Sequence, residues 1–280
     1  MRVRRIAKSG PRGVPFAQMP VGQLWSHDPG KAAAERFFLL YSPIWIAFVA
    51  IIMLTGVYRG WSDAGYMLFG LGVAAPLVLV PYLTPRAEEI GRRFWETSWF
   101  RLNLWIALFV GFGSYIGTHY FFDVVGMRYG FPTTWNFEAE LVGDSDGRVP
   151  MFLYPLTQAY FMTYHVAMTV ILRYLSTRFG LGRVSRALII AVLAYAVAFA
   201  ETSFMAIPAL ADVFEYADRG RMLVWGSMFY ATYFIVSLPV FATIDEDQPW
   251  PLGRVVGSAL AVSMAVFLLL DLWAKLIGPL

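Results

Sequence analysis

Long apolar runs dominate the chain, separated by short polar connections. Seven runs, at about 37–58, 64–83, 102–122, 156–174, 187–210, 223–242 and 255–277, approach the roughly 20 residues that a helix rising about 1.5 Å per residue needs to cross about 30 Å of hydrocarbon. None shows the period-two alternation over about ten residues that marks a membrane β-barrel. The pattern predicts an all-α, polytopic membrane helix bundle of about seven transmembrane helices. The second run is interrupted by Pro76 and Pro81.

The polar connections set domains and orientation. Residues 1–36 hold Arg2, Arg4, Arg5, Lys8 and Arg12 among Pro and Gly, with no apolar stretch close behind as a cleavable signal requires. They read as a retained basic tail, and 37–280 as one transmembrane helical domain. Asp28 before Pro29 has the form of an N-cap and first helical residue, so a helix is expected to begin ahead of the first span. Alternate connections carry 16 Lys and Arg against 6, which places the N-terminus in the cytoplasm and the C-terminus outside. The longest connection, 123–155, is acidic (Asp123, Glu138, Glu140, Asp144, Asp146) and falls on the outer side, with 143–147 as a solvated turn. Gly113/Gly117 and Gly257/Ala261/Ala265 have the spacing that lets spans pack closely.

Composition agrees and narrows the chemistry. Hydrophobic residues make up 58% and charged residues 15%, against about 45–50% and 25% in soluble domains. With no Cys there is no disulfide, thiolate metal site or cysteine nucleophile. Three His are too few for a histidine-rich di-iron enzyme. The Ala- and Arg-rich usage suggests a bacterial cytoplasmic membrane; a eukaryotic chain of this kind would sit in the endoplasmic reticulum. The expected partner is the lipid bilayer, with no nucleic acid.

Ionisable groups in hydrocarbon are costly and mark sites by default. Here they are His119, His165, Glu201 and the pair Asp271 and Lys275. Counting from the span starts puts Glu201 about 21 Å in, and places it, His119, His165 and Asp271 between the midplane and the outer interface. One shared pocket would hold them. Asp271 and Lys275, four apart, also fit a simple intrahelical ion pair. Glu201 is the sharpest signal, because a buried carboxyl without a counter-charge stays protonated and becomes a proton donor. Tyr115, Tyr164, Tyr195, Tyr230 and Tyr233 supply hydroxyls or packing. Several classes fit: a cofactor-free acid–base enzyme acting on a lipid, a haem protein with His119 and His165 as axial ligands, a retinal-type pump using Lys275, or a lipid-binding or transport protein.

The motifs add a resemblance. Thr118-His119-Tyr120-Phe121-Phe122 with Tyr129 and Phe131-Pro132, Phe161-Met162-Thr163-Tyr164-His165, Glu201-Thr202, Phe229-Tyr230-Ala231-Thr232-Tyr233-Phe234, Asp245-Glu246 and Leu270-Asp271-Leu272-Trp273 resemble, in order over 35–279, the cycloeucalenol cycloisomerase (cyclopropyl sterol isomerase) family. Departures are Met151 and Gln158, where the family pattern has histidine, and a longer acidic segment before Tyr164. The resemblance implies opening of the 9β,19-cyclopropane ring of a sterol, entering from the bilayer, to a Δ8 sterol without a cofactor. On that reading Glu201 gives a proton to C19, His165 or His119 accepts one from C8, and Tyr164 or Tyr230 orients the pair. Tyr115, Tyr195, Tyr233 and Asp271 would bind substrate or support the site.

Overall fold

A computed structural model describes residues 19–137, 139 and 147–278. Residues 1–18 of the basic tail and the acidic residues Glu138, Glu140, Asp144 and Asp146 lie outside them. The first helix, α1 (Pro29–Thr55), starts where the sequence predicts: the Asp28 carboxylate accepts from the Lys31 backbone N–H at 2.7 Å, and Pro29 takes the first helical position. Next come α2 (Asp63–Ala74) and α3 (Pro76–Leu83), a pair bent by 46° at Pro76, which has no N–H to continue the ladder. The bundle is completed by α4 (Ser98–Val125), α5 (Leu153–Phe179), α6 (Arg183–Met205), α7 (Arg219–Phe241) and α8 (Leu252–Ile277).

Among the described residues, α1, α4, α6, α7 and α8 are long and apolar enough to cross a membrane, and the α2–α3 pair passes as one broken span. Helix α5 has the length but not the composition. Its surroundings explain this: it packs against α1, α2, α4, α6 and α7. A helix with five helical neighbours has most of its length covered by protein, so Gln158, Thr163, His165, Thr169 and Arg173 can be buried on it without meeting lipid.

The all-α expectation needs one correction. A two-stranded antiparallel sheet, β1 (Met127–Tyr129) with β2 (Phe214–Tyr216), closes one end of the bundle, with Met127 opposite Tyr216. Gly126 ends α4 at φ 66°, and a Cβ there would lie 2.6 Å from the Ala217 Cβ. Strands of three residues leave no periodicity to read. At the same end Asp63 accepts from the Thr133 and Thr134 hydroxyls, pinning the long connection to the start of α2. Gly147, expected in a solvated turn, is buried instead: a Cβ would stand 2.3 Å from the Phe122 ring.

Packing separates the two small-residue stripes. Gly117 admits the Tyr233 ring of α7, whose hydroxyl would lie 1.9 Å from an added Cβ. A Cβ added at Gly257 would meet nothing within 4 Å, and Ala261 is exposed. Helix α8 turns its Val255/Ala259/Val262/Val266/Leu270 face inward, which buries more apolar surface than the Gly257 face offers.

The opposite end is tied by charge. Arg173, fully buried, donates to Glu35 at 2.7 and 3.0 Å, to Glu246 at 2.9 and 3.0 Å, and to the Leu24 carbonyl at 2.8 Å. Lys31 reaches Glu246 at 2.5 Å and the Ala242 carbonyl at 2.9 Å. Burial pushes the Glu246 carboxyl up, but Lys31 and Arg173 outweigh it and hold it below the usual carboxylate range. Next to this cluster, Asp245 accepts from Ser98, Arg101 and the Trp250 N–H. Asp245 and Glu246 are thus the clamp that joins α1, α4 and α5 just beyond the end of α7.

Arg173→Met would take the buried Glu35 carboxylate's cation away and leave Glu246 with Lys31 alone, and a loss of about 3–5 kcal/mol is expected in unfolding of the detergent-solubilised protein. Gly117→Ala must displace Tyr233 and is expected to cost about 1–3 kcal/mol in the same measurement.

Candidate active site

Helix α6 docks on α7 through Ala194, Ala198 and Thr202, fully buried at four-residue spacing. That contact carries Glu201, in the last turns of α6, to Tyr230. The Tyr230 hydroxyl donates to Glu201 Oε2 at 2.7 Å, and from α5 the Tyr164 hydroxyl is turned toward the same carboxyl. Among the described residues none of the ion pairs includes Glu201. Its partners are neutral phenols, so the buried site favours the neutral acid, with one oxygen accepting and the other carrying the proton.

Glu201 lines a cavity bounded mainly by α4, α5, α6 and α7. The walls are the rings of Phe109, Phe121, Phe161, Tyr230 and Tyr233, with hydroxyl groups from Ser114, Thr118 and Thr202. Two π-helical turns shape it: Gly113–Gly117 within α4 and Met222–Gly226 within α7. Gly113, Ser114 and Met222 of these turns face the cavity. Such widened turns recur at functional sites because they re-aim side chains without ending the helix. The Thr202 and Tyr233 hydroxyls are buried beside it with no hydrogen-bond partner. The mixture of aromatic faces, few hydroxyls and one neutral acid suits an apolar substrate that must be protonated.

The other expected site residues are spread more widely. Tyr230 and Tyr233 line the cavity, and Tyr164 stands behind the carboxyl. His165 does not line it. Its Nδ1 bonds the Phe161 carbonyl at 2.8 Å and its Nε2 the Ser237 hydroxyl at 2.7 Å, inside a cage of Trp105, Phe109, Phe234 and Phe241. Both ring nitrogens are engaged, which leaves none for an axial metal bond. His119 is buried edge-on to Phe122, one residue beyond Thr118 and off the cavity wall. Tyr115 packs on Phe137 and Tyr195 on Phe199, both away from Glu201. Asp271 is half exposed and pairs with Lys275 at 2.7 Å, so it takes the ion-pair role. The shared pocket predicted from depth therefore assembles around Glu201 and tyrosines, not around histidines. Depth along a helix says nothing of which face a residue occupies.

Sequence reasoning missed Thr202, Ser114 and Thr157 as wall residues. Thr202 was in view beside Glu201; the π-turns leave no trace beyond Gly113 and Gly117.

No family model and no solved structure matches the chain. A comparison with curated proteins finds cycloeucalenol cycloisomerase of Arabidopsis thaliana, 35% identical over 266 residues, covering 92% of this chain and 90% of that protein. With similarity of that depth along nearly its whole length, the chain belongs to the cycloeucalenol cycloisomerase family.

Proposed function

We propose that the protein opens the 9β,19-cyclopropane ring of cyclopropyl sterols, with Glu201 as the acid. The observation that carries this reading is the Glu201 carboxyl, paired only with phenols, on the wall of an aromatic cavity. The proton of Glu201 goes to C19 as the C9–C19 bond breaks. Its electron pair becomes the new C–H bond of the angular methyl, and C9 takes the positive charge. Phe109, Phe121 and Phe161 face that charge with ring π-electrons. Donation leaves a carboxylate to which Tyr230, and Tyr164 behind it, donate. Loss of the C8 proton then forms the C8–C9 double bond. The carboxylate of Glu201 is the base on the cavity wall, and taking that proton restores the acid. His165, first expected as acceptor, has both nitrogens occupied and is assigned to holding α5 against α7.

An apolar substrate of this kind arrives through the bilayer. We place the N-terminus in the cytoplasm with seven spans, counting α2–α3 as one and α5 as the central one. The membrane is assigned as the bacterial cytoplasmic membrane on composition.

Incubation of protein-containing membranes with cycloeucalenol in deuterated water is expected to put one deuterium in the new angular methyl; absence of a ring-opened product would sink the proposal. Glu201→Gln, isosteric but with no acidic proton, is expected to lower kcat by about 10²–10⁴-fold without loss of the folded state. Tyr230→Phe removes one bond to the developing carboxylate and is expected to cost about 1.5–3 kcal/mol in kcat/KM.

A further inference from the structure

The two-stranded ribbon does more than close the bundle. Side chains alternate between the faces of a strand, and directly opposed residues of an antiparallel pair share a face. With Met127 opposite Tyr216 and Tyr129 opposite Phe214, these four lie on one face, and Arg128 and Glu215 on the other. The face of four is turned inward. Met127 and Tyr129 line the cavity that holds Glu201, and Tyr129 and Phe214 line a neighbouring hollow that also reaches Glu201. The Tyr129 ring is held there by Phe122, Phe131 and Phe214. Burial pushes the Tyr129 and Tyr216 phenols above their ordinary range; Glu201 adds to this for both, and Tyr129 does so for Tyr216. Both hydroxyls are therefore within electrostatic reach of the carboxyl, and both are uncommitted. The Tyr216 hydroxyl is buried with no hydrogen-bond partner, and among the described residues no hydrogen bond uses the Tyr129 hydroxyl.

We infer that Tyr129 is a positioning residue for the charged form of Glu201: its hydroxyl is idle beside the neutral acid and donates to the carboxylate once the proton has left. This rests on the ring-opening reading and adds a residue and a role to it. The neutral carboxyl accepts from Tyr230, with Tyr164 turned toward it. Ionised, the same group has about four lone-pair sites and carries no hydrogen. Transfer of the proton to C19 therefore creates acceptor capacity that two phenols do not fill. In an apolar cavity an unfilled acceptor bearing charge is costly, and a third donor on the facing ribbon lowers that cost. Timing decides what such a donor does to the rate. A phenol bonded to the acid from the outset stabilises ground state and transition state together. One that engages only as negative charge develops acts on the transition state, which raises kcat and leaves substrate binding alone. Contacts of this kind are often open in the free enzyme and close during the reaction.

The test uses the full chain in membranes with cycloeucalenol as substrate. Tyr129→Phe keeps the ring packed against its three phenylalanine neighbours and removes only the hydroxyl. It is expected to lower kcat by about 10- to 100-fold with KM almost unchanged. Because the effect passes through the Glu201 anion, adding Tyr129→Phe to Glu201→Gln is expected to cost no further rate, whereas a purely structural defect would multiply the two losses. Glu215→Gln, on the outer face of the ribbon, is expected to keep the wild-type kcat. An unchanged kcat in Tyr129→Phe, a loss confined to KM, multiplied losses in the double variant, or an equal loss in Glu215→Gln would each overturn the assignment. Absence of ring-opened product from the wild-type chain, or full turnover by Glu201→Gln, would instead break the ring-opening reading and take this role of Tyr129 with it.

Discussion

An ionisable group inside an apolar bundle is tolerated in two ways: a counter-ion neutralises it, or a proton does. This molecule uses both, at opposite ends. Arg173, Lys31, Glu35 and Glu246 form a buried, charge-balanced cluster in which the guanidinium's donors meet two carboxylates and a carbonyl. Among the described residues Glu201 meets no cation, only the Tyr230 and Tyr164 hydroxyls. The first arrangement fixes helices; the second, on the proposed function, supplies the transferable proton. A carboxyl paired with a guanidinium would be a poor acid, so keeping cations at the far end is a condition for the chemistry proposed near the sheet.

The same constraint organises the bundle. Helix α5 carries six buried polar side chains, and it packs against five other helices. Several polar groups that would be costly against lipid find partners there: Thr163 with Ser42 and Trp45, the Gln158 amide N–H with Asn103, His165 with Ser237. Lipid meets the outward faces of α1, α3, α6 and α8, where Leu40, Ile44, Leu79, Val192 and Leu268 are exposed. Hydropathy reads that outer layer and under-reads the centre, which is why the most important scaffold helix is the least apolar of the long ones.

Legibility in the sequence followed the same division. Glu201 was visible because an isolated carboxyl in an apolar run needs a reason, and a pair at four-residue spacing announced Asp271 and Lys275. The two histidines were expected in the same pocket, and the structure sets both off its wall. At mid-depth His165 looks like a proton acceptor, but its partner Ser237 is 72 residues away on α7, a contact no local pattern reveals. The stripe at Gly257 shows the converse: the spacing was right, but which face of α8 turned inward depended on the competing apolar row beginning at Val255. The three-residue strands and the two π-turns lie below the length at which periodicity carries information.

The π-turns bear on why the cavity exists at all. Regular α-helical packing fills space to near-crystalline density, and helices with small residues at Gly113 and Gly117 would normally close on their neighbour. Here Gly117 accepts the Tyr233 hydroxyl, while the widened turn from Gly113 to Gly117 rotates Ser114 toward the open space. The matching turn at Met222–Gly226 does the same on the α7 side. Each widened turn gives up some regular backbone geometry, a cost that packing alone does not require. Two such departures facing one cavity, with an uncompensated acid between them, are best accounted for by a ligand that has to fit there.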